Sequence, residues 1–147
     1  MSLKEALFED LKNAMRDKNT LRKNTIQSIR TAVLQVEKDD QVELSDEGVI
    51  SIIASQLKKR KAALPEYEKS GREELILELK NEIEILMEYL PEQLSEEEIT
   101  AIVKQIVDEL GASTMKDMGK VMSAVGAKVN GRADNKIVSQ IVRNVLA

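Results

Sequence analysis

Residues 50–90 read ISIIASQLKKRKAALPEYEKSGREELILELKNEIEILMEYL. In each half of this stretch, positions spaced alternately three and four residues apart are apolar, with a single exception. These positions are Ile50, Ile53, Leu57, Arg60 and Leu64, followed by Ile76, Leu79, Ile83, Leu86 and Leu90. Such spacing is typical of helices that pack along a coiled-coil seam. Gly71 can end the first helix, so the stretch predicts two antiparallel helices joined by a tight turn.

Two features inside this hairpin lead to more specific predictions. Pro65 lacks an N–H, and its ring clashes with the preceding helical turn, so we expect a kink or a break there. Ser70 and Glu73 have the spacing of a capping box, so Ser70 is expected to cap the second helix. These signals predict how the two helices of the hairpin end and begin.

The hairpin also contains a basic run, Lys58–Lys61. Its side chains fan around the helix axis, and none has an acidic residue three or four positions away. Phosphate binding is one interpretation of the run, and solvated surface cations are the other. Arg60 differs from its neighbours because it occupies a seam position, where its guanidinium needs an acceptor. We expect a structural ion pair between Arg60 and Glu78 or Glu82 on the facing helix.

Capping signals and apolar stripes predict helices along the rest of the chain. The expected helix starts are Ser2 with Glu5, Asn19 or Thr20, Ser45, Ser95 with Glu98, and Asp134. A further helix is expected over about residues 114–129, followed by a turn at Gly131. In that helix, Gly119 and Gly126 could permit close helix packing or leave bare backbone beside a ligand.

These elements predict an all-α fold in two parts. A four-helix N-terminal part contains the hairpin, and a small three-helix C-terminal module follows it. Pro91 cannot continue a helix, and the capping box at Ser95 begins the next one. The predicted domains are therefore residues 1–93 and residues 94–147.

Composition excludes several kinds of active site. The chain has no Cys and no His, which removes disulfides, thiolate metal sites, Cys nucleophiles and imidazole bases. No Walker loop, dinucleotide-binding glycine set or nucleophile elbow is present. Paired acids such as Glu73-Glu74 are expected to serve helix N-termini rather than catalysis or a magnesium site. We therefore expect no catalytic residue of its own, no metal and no cofactor.

Nothing in the sequence indicates a membrane or an export signal. No apolar run approaches the roughly 18 residues that a membrane span needs. The N-terminal residues 1–5 lack a basic segment leading into an apolar one, so no secretory signal is expected. The resulting expectation is a cytoplasmic location.

Charge is distributed unevenly in the C-terminal module. Residues 95–110 contain one base and five acids, whereas residues 111–147 contain six bases and two acids. The six bases are Lys116, Lys120, Lys128, Arg132, Lys136 and Arg143. Cations beside a turn and a helix N-terminus can bind phosphate, so these six are the candidate nucleic-acid-binding residues. Without aromatics in this module, any nucleic acid would be recognised by its backbone and shape. An ordinary solvated surface is the alternative.

Three stretches of the sequence resemble a known family. They are YLPEQLSEEE at residues 89–98, DMGKVM at residues 117–122, and GRAD at residues 131–134 followed by IVS at 137–139. Together they closely resemble the GatB/YqeY family, and the likeness extends over essentially the whole chain. The chain is similar to a stand-alone YqeY-like protein.

The resemblance implies a connection with tRNA. In this family the helical domain also forms the tail of the B subunit of tRNA-dependent amidotransferase, which amidates Glu-tRNA(Gln) or Asp-tRNA(Asn) using glutamine and ATP. That tail is expected to contact the tRNA body, while the chemistry occurs in other parts of the enzyme. The resemblance thus implies a tRNA-binding accessory protein without autonomous catalysis, with tRNA and amidotransferase subunits as partners and no DNA.

Two alternatives stay open at this point. One is a component of a carbon–nitrogen ligase with glutamine as amido-nitrogen donor, which is the family-level activity. The other is a protein-interaction module, in which the seams of the hairpin grip a partner helix. The first predicts stimulation of an amidotransferase, and the second predicts a dimer or an exposed apolar groove.

Overall fold

The computed structural model describes all 147 residues, from Met1 to Ala147, as seven α-helices without a β-strand. The helices are α1 (Leu3–Arg16), α2 (Thr20–Asp40), α3 (Asp46–Ser70), α4 (Glu73–Glu88), α5 (Glu96–Leu110), α6 (Met118–Lys128) and α7 (Asn135–Leu146). The predicted all-α fold is confirmed. The helices group into two compact units, Met1–Leu90 and Pro91–Ala147. The predicted domains, residues 1–93 and 94–147, stay a prediction, because a domain is a part that folds alone.

Five of the predicted helix starts are confirmed. The capping residues are Ser2, Asn19, Ser45, Ser95 and Asp134. At Ser2 and Ser95 the capping box is complete, because the acid three residues later accepts a hydrogen bond from the cap backbone. Each cap satisfies an N–H that would otherwise lack a partner in the first helical turn.

The first unit closes around an apolar cluster to which all four of its helices contribute. Its buried members are Leu7, Leu11, Ile26, Ile29, Val33, Val49, Ile53, Leu57 and Leu86. Beside this cluster, Lys4 Nζ lies 2.6 Å from Glu37 Oε2, which also accepts the Leu44 backbone N–H at 2.7 Å. These contacts tie α1 to the end of α2 and to the residues that lead into α3.

The helical hairpin formed by α3 and α4 differs from the prediction at two residues. No break occurs at Pro65, because α3 continues to Ser70. Pro65 is exposed, so water can satisfy the carbonyl that its missing N–H leaves without a partner. Ser70 does not cap α4 either: its hydroxyl donates to the Tyr67 carbonyl at 2.6 Å, and Arg72 begins α4 without a side-chain cap. Gly71 ends α3 at φ +70°, as predicted.

A polar layer lies where the apolar core of the first unit ends. Arg60 Nε is 3.7 Å from Glu82 Oε2, and the two Nη atoms donate to Gln56 Oε1 at 3.3 Å and Ser28 Oγ at 3.4 Å. Gln56 Nε2 in turn donates to the Ser28 carbonyl at 3.1 Å. The guanidinium thus joins α2, α3 and α4, and its stem is half-buried in the seam.

The second unit has its own apolar cluster, formed by α5, α6 and α7. Its buried members are Ile99, Val103, Ile106, Val121, Val125, Val129, Val138, Val142 and Leu146. The helix predicted over residues 114–129 begins later, because residues Met115–Asp117 form a 3₁₀ turn before α6. The Asp117 side chain accepts the backbone N–H groups of Ser113 and Thr114, and these hydrogen bonds hold the tight turn.

Candidate nucleic-acid interface

The six predicted nucleic-acid-binding residues all lie on α6, α7 and the turns beside them. Lys116 belongs to the 3₁₀ turn, while Lys120 and Lys128 lie in the first and last turns of α6. Arg132 occupies the α6–α7 turn, and Lys136 and Arg143 lie on α7. Five of the six are exposed, and Arg132 is half-buried. Lys136 and Arg143 are seven residues, or about two helical turns, apart and therefore share one face of α7.

The acids among residues 111–147 do not neutralise these cations. No ion pair within 4.0 Å involves any of the six. The carboxylate of Asp117 accepts two backbone N–H groups, and that of Asp134 accepts the Lys136 backbone N–H at 2.9 Å. Both carboxylates accept backbone donors instead of forming ion pairs with the six cations, and Asp117 interacts with Lys120 only electrostatically, without a direct contact.

The turn between α6 and α7 has a defined backbone. Gly131 has a φ of +74°, a left-handed conformation that residues with a Cβ adopt only at a cost. Directly after it, the Arg132 N–H donates to the Val129 carbonyl at 2.7 Å. This geometry supports the predicted structural role of Gly131, which is to reverse the chain between the two helices.

The segment before α5 clamps this turn, a feature that the sequence did not predict. Gln93 Nε2 donates to the Gly131 carbonyl at 2.8 Å, and the Leu94 N–H donates to the Arg132 carbonyl at 2.8 Å. Arg132 Nε also reaches the Glu92 carbonyl at 3.5 Å. Hydrogen bonds therefore hold the backbone of Arg132 at both its N–H and its carbonyl. Arg132 is also the one of the six cations whose side chain donates a hydrogen bond to the protein, which restricts where its guanidinium can lie. Nothing local to residues 92–94 signals these contacts, because their partners lie about forty positions further along the chain.

The two glycines of α6 do not mediate helix packing, which corrects one of the two predicted roles. A Cβ built at Gly119 or at Gly126 meets no heavy atom within 4 Å. No other helix comes close enough for a methyl group to interfere. The other predicted role, bare backbone beside a ligand, stays a prediction.

No three His, Cys, Asp or Glu side chains converge in a way that could hold a metal ion. None of the helices combines the length and the apolar composition that crossing a membrane requires.

Comparison with known proteins identifies the family. The family model described as Yqey-like protein matches residues 4–146. The chain belongs to the YqeY-like family. The resemblance drawn from the three sequence stretches is thereby confirmed.

Fungal relatives of this YqeY-like chain carry a mitochondrial name. "Altered inheritance of mitochondria protein 41, mitochondrial" from Pyrenophora tritici-repentis is 32% identical over 143 residues, covering 95% of this chain and 78% of that protein. The protein of the same name from Kluyveromyces lactis is 38% identical over 112 residues, covering 74% of this chain and 60% of that protein.

These names contradict the expected cytoplasmic location. The relatives from three fungi are named as mitochondrial proteins, so that expectation is wrong. It rested on the lack of an export signal and of an apolar span. Such a lack does not distinguish one aqueous compartment from another.

A shorter similarity is to a protein named as a subunit of a tRNA amidotransferase. One of the subunits of the glutamyl-tRNA(Gln) amidotransferase from Thermococcus gammatolerans is 43% identical over 54 residues. The match covers 34% of this chain and 9% of the amidotransferase polypeptide. A YqeY-like segment is thus similar to a small part of a much longer enzyme subunit.

Two of the three family motifs of the YqeY-like chain meet in the second unit. The motif at residues 89–98 contributes Gln93 and Leu94, and the motif beginning at Gly131 contributes the turn that they clamp. The third motif, at residues 117–122, begins with the Asp117 carboxylate that holds the 3₁₀ turn before α6. All three motifs therefore shape the backbone that carries the cations.

Asp117 gives the second unit a pH-dependent contact. Hydrogen bonds from the backbone N–H of Ser113 at 3.1 Å and of Thr114 at 3.4 Å hold the pKa of this carboxyl below its ordinary value, with a smaller contribution from the Lys120 ammonium. A lowered pKa contributes stability above the unfolded-state pKa of about 4, and this stability is lost as the pH falls through the folded-state value.

We expect Asp117→Asn to lower the urea midpoint of the second unit at neutral pH. The difference from the parent protein should shrink as the pH falls below about 4, because protonation removes the same charge from Asp117. Urea titrations at several pH values measure it. If the difference in urea midpoint stays constant down to acid pH, the loss of the Asp117 charge is not its cause.

Proposed function

We propose that this YqeY-like protein binds tRNA through Lys116, Lys120, Lys128, Arg132, Lys136 and Arg143, as an accessory protein without catalysis of its own. The proposal rests on six accessible cations without an ion-pair partner in one small unit. Contacts between Lys or Arg and phosphates supply most of the affinity of sequence-independent nucleic-acid binding. The similarity to a segment of a tRNA amidotransferase subunit favours tRNA over other nucleic acids as the ligand.

Recognition of the RNA is expected to depend on its shape and phosphates rather than on its bases. The three aromatic residues of the chain, Phe8, Tyr67 and Tyr89, all belong to the first unit. Stacking on aromatic rings, the usual means of holding unpaired bases, is thus absent from the proposed surface. A folded RNA presents phosphates at distances set by its tertiary structure, and rigidly placed cations can match those distances.

Exposed glycine backbone beside the cations supports the same proposal. Gly119 directly precedes Lys120, Gly126 lies two residues before Lys128, and the Cβ position of each glycine faces open space. Glycine inside a helix costs up to about 1 kcal/mol relative to alanine, and no packing contact compensates for it here. A sugar–phosphate chain that approaches the helix backbone closely provides a reason for that cost.

We expect Gly119→Ala and Gly126→Ala each to raise the free energy of unfolding by up to about 1 kcal/mol while weakening tRNA binding. Gly131→Ala is the matched control and should lower the free energy of unfolding by about 1 kcal/mol, because its φ of +74° is strained for alanine. Urea denaturation and tRNA titration of the same preparations measure both effects. If Gly119→Ala is more stable and yet binds tRNA as tightly as the parent protein, Gly119 does not contact the tRNA.

Binding of labelled tRNA to the intact protein across a salt series tests the proposal directly. If all six cations contact phosphates, the slope of log affinity against log salt should be about −4 to −5. Double-stranded DNA of equal phosphate content should compete poorly, because its phosphates do not have the arrangement found in folded RNA. If the protein does not bind tRNA at low ionic strength, the proposal is wrong, and the six cations form an ordinary solvated surface.

A second candidate is association with a tRNA amidotransferase, favoured by the similarity over 54 residues to the amidotransferase from Thermococcus gammatolerans. In that case the YqeY-like protein would assist a carbon–nitrogen ligase that uses glutamine as nitrogen donor. Addition of the protein to a reconstituted amidation assay should then raise the rate or lower the KM for tRNA. An unchanged rate with intact tRNA binding would separate the two candidates.

A further inference from the structure

The distal half of the α3–α4 hairpin has no buried residue. Between Leu57 and Leu79, both of which are buried, all 21 residues from 58 to 78 are exposed or half-buried. We refer to residues 58–78 as the hairpin arm. The polar layer around Arg60 lies at its base, where the apolar core of the first unit ends. Apart from Arg60, which donates to Ser28 on α2, the arm residues make their hydrogen bonds and ion pairs within the hairpin.

The arm nevertheless continues the apolar seam. Leu64 and Ile76 are half-buried, Tyr67 and Leu75 are each 38% exposed, and Leu77 is 60% exposed. A two-helix hairpin can cover only one side of each helix, so these side chains remain partly in water. Burial of an apolar side chain is favourable, so a partner that covers some of these side chains would stabilise the arm.

Charge is polarised along the arm. Lys58–Lys61 gives the base four positive charges, of which only that of Arg60 is engaged, by Glu82. The remaining arm residues, 62–78, contain five acids and two bases, a net charge of −3. Four of the acids, Glu66, Glu68, Glu73 and Glu74, lie near the tip, whereas Glu78 lies opposite Leu64 nearer the base, because Arg60 faces Glu82 across the hairpin. The surface is thus positive at the base, apolar at the middle and negative towards the tip.

We propose that two copies of this chain pair through their hairpin arms, antiparallel about a twofold axis near Leu64. In that arrangement Lys58 and Lys61, which are three residues apart and share one helix face, lie opposite acids near the tip of the other arm, and the same contact is made twice. Tyr67 and Leu75 of each copy then cover the apolar middle of the partner. A polarised surface of this kind is self-complementary, as a twofold interface requires.

An interface on the arm is small, because only one side of its 21 residues can face a partner, whereas specific interfaces of standard size involve about 20–30 residues on each side. A separate acidic or basic partner would match one end of the arm and repel the other. A second copy matches both ends, which is why the polarised charge favours it over a nucleic acid bound at Lys58–Lys61.

A charge swap on the full-length chain tests this proposal. One variant carries Lys58→Glu, Lys59→Glu and Lys61→Glu, and the other carries Glu66→Lys, Glu68→Lys and Glu73→Lys. All six residues are exposed, so the fold should tolerate both changes. Sedimentation velocity over a wide range of protein concentration measures the mass relative to the single chain of 16.5 kDa. Lys104→Glu, on α5 in the second unit, is the charge control.

The parent protein and the control should sediment as dimers that weaken with salt, and each swapped variant alone should be a monomer. Mixing the two variants should restore a dimer, since acids then face lysines at both ends. If the parent protein is monomeric even at high concentration, the proposal is overturned. It is also overturned if the parent protein dimerises but the mixture of the two variants stays monomeric. Leu75→Asp, at an exposed apolar position, should also give a monomer. If this variant still dimerises, the arm is not the dimer interface.

Discussion

Leu86→Ala is expected to lower the free energy of unfolding of the first unit by about 2–5 kcal/mol. Leu86 is 0% exposed and belongs to the cluster that includes Ile26, Ile53 and Leu57. Its truncation loses the transfer free energy of the removed atoms and leaves a cavity that the surrounding helices fill only in part. Such a loss is a large fraction of the total stability of a small domain.

Leu77→Ala provides the matched control on the same helix. Leu77 is 60% exposed, so the same chemical change should alter the free energy of unfolding by no more than about 0.5 kcal/mol. Urea denaturation followed by circular dichroism measures both variants. Equal effects at the two positions would mean that α4 does not pack as described.

Leu86→Ala also tests the predicted division into two domains. The two apolar clusters share no residue, so a cavity in the first should leave the unfolding of the second unchanged. A biphasic transition, in which only one phase moves, is the expected result. A single transition that shifts as a whole would show that the units unfold cooperatively.

Reversing two charges of the proposed tRNA-binding surface is expected to weaken tRNA binding at least about tenfold at low salt. The variant combines Lys120→Glu with Arg132→Glu. Lys120 lies in the first turn of α6, and Arg132 is held in the clamped α6–α7 turn. Each reversal removes one phosphate contact and adds a repulsive charge. The slope of log affinity against log salt should therefore flatten by about 1.5 to 2.

A double reversal elsewhere controls for net charge. Lys38→Glu with Lys104→Glu changes the total charge equally, and both lysines are exposed on other helices. This variant should retain most of the affinity and nearly the whole salt slope. If both double variants weaken tRNA binding equally, the affinity depends on the net charge of the protein, and the proposed tRNA-binding surface is contradicted.

Helix starts and helix stripes were predictable because they depend on short-range interactions. Ser95 with Glu98 contains a complete capping box within four residues, and the structure forms it. Gly71 likewise ends a helix in the left-handed region whatever packs around it. The apolar spacing around Leu57 and Leu86 also specifies which helix faces turn inward, and both residues are buried.

The errors concern residues whose local signals compete with their surroundings. A break at Pro65 was one of two predicted outcomes, yet α3 continues through it because the lost hydrogen bond lies in water, and the alternative of a kink stays a prediction. Ser70 predicted a cap, yet its hydroxyl serves the carbonyl of Tyr67 in the preceding helix. Close helix packing was one of the two roles predicted for Gly119, and it depends on where other helices lie and not on the neighbours of Gly119 in sequence.

By itself the sequence determined the all-α class, five of the helix caps, the family and which six residues among 111–147 are basic. Only the tertiary structure decided that Gln93 clamps the Gly131 turn, that Arg60 joins three helices, and that the hairpin arm has no buried residue. The physical reason is the range of the interactions. A cap or a helix stripe is specified within a few residues, whereas a clamp, a polar layer and an uncovered seam depend on segments that only the folded chain brings together.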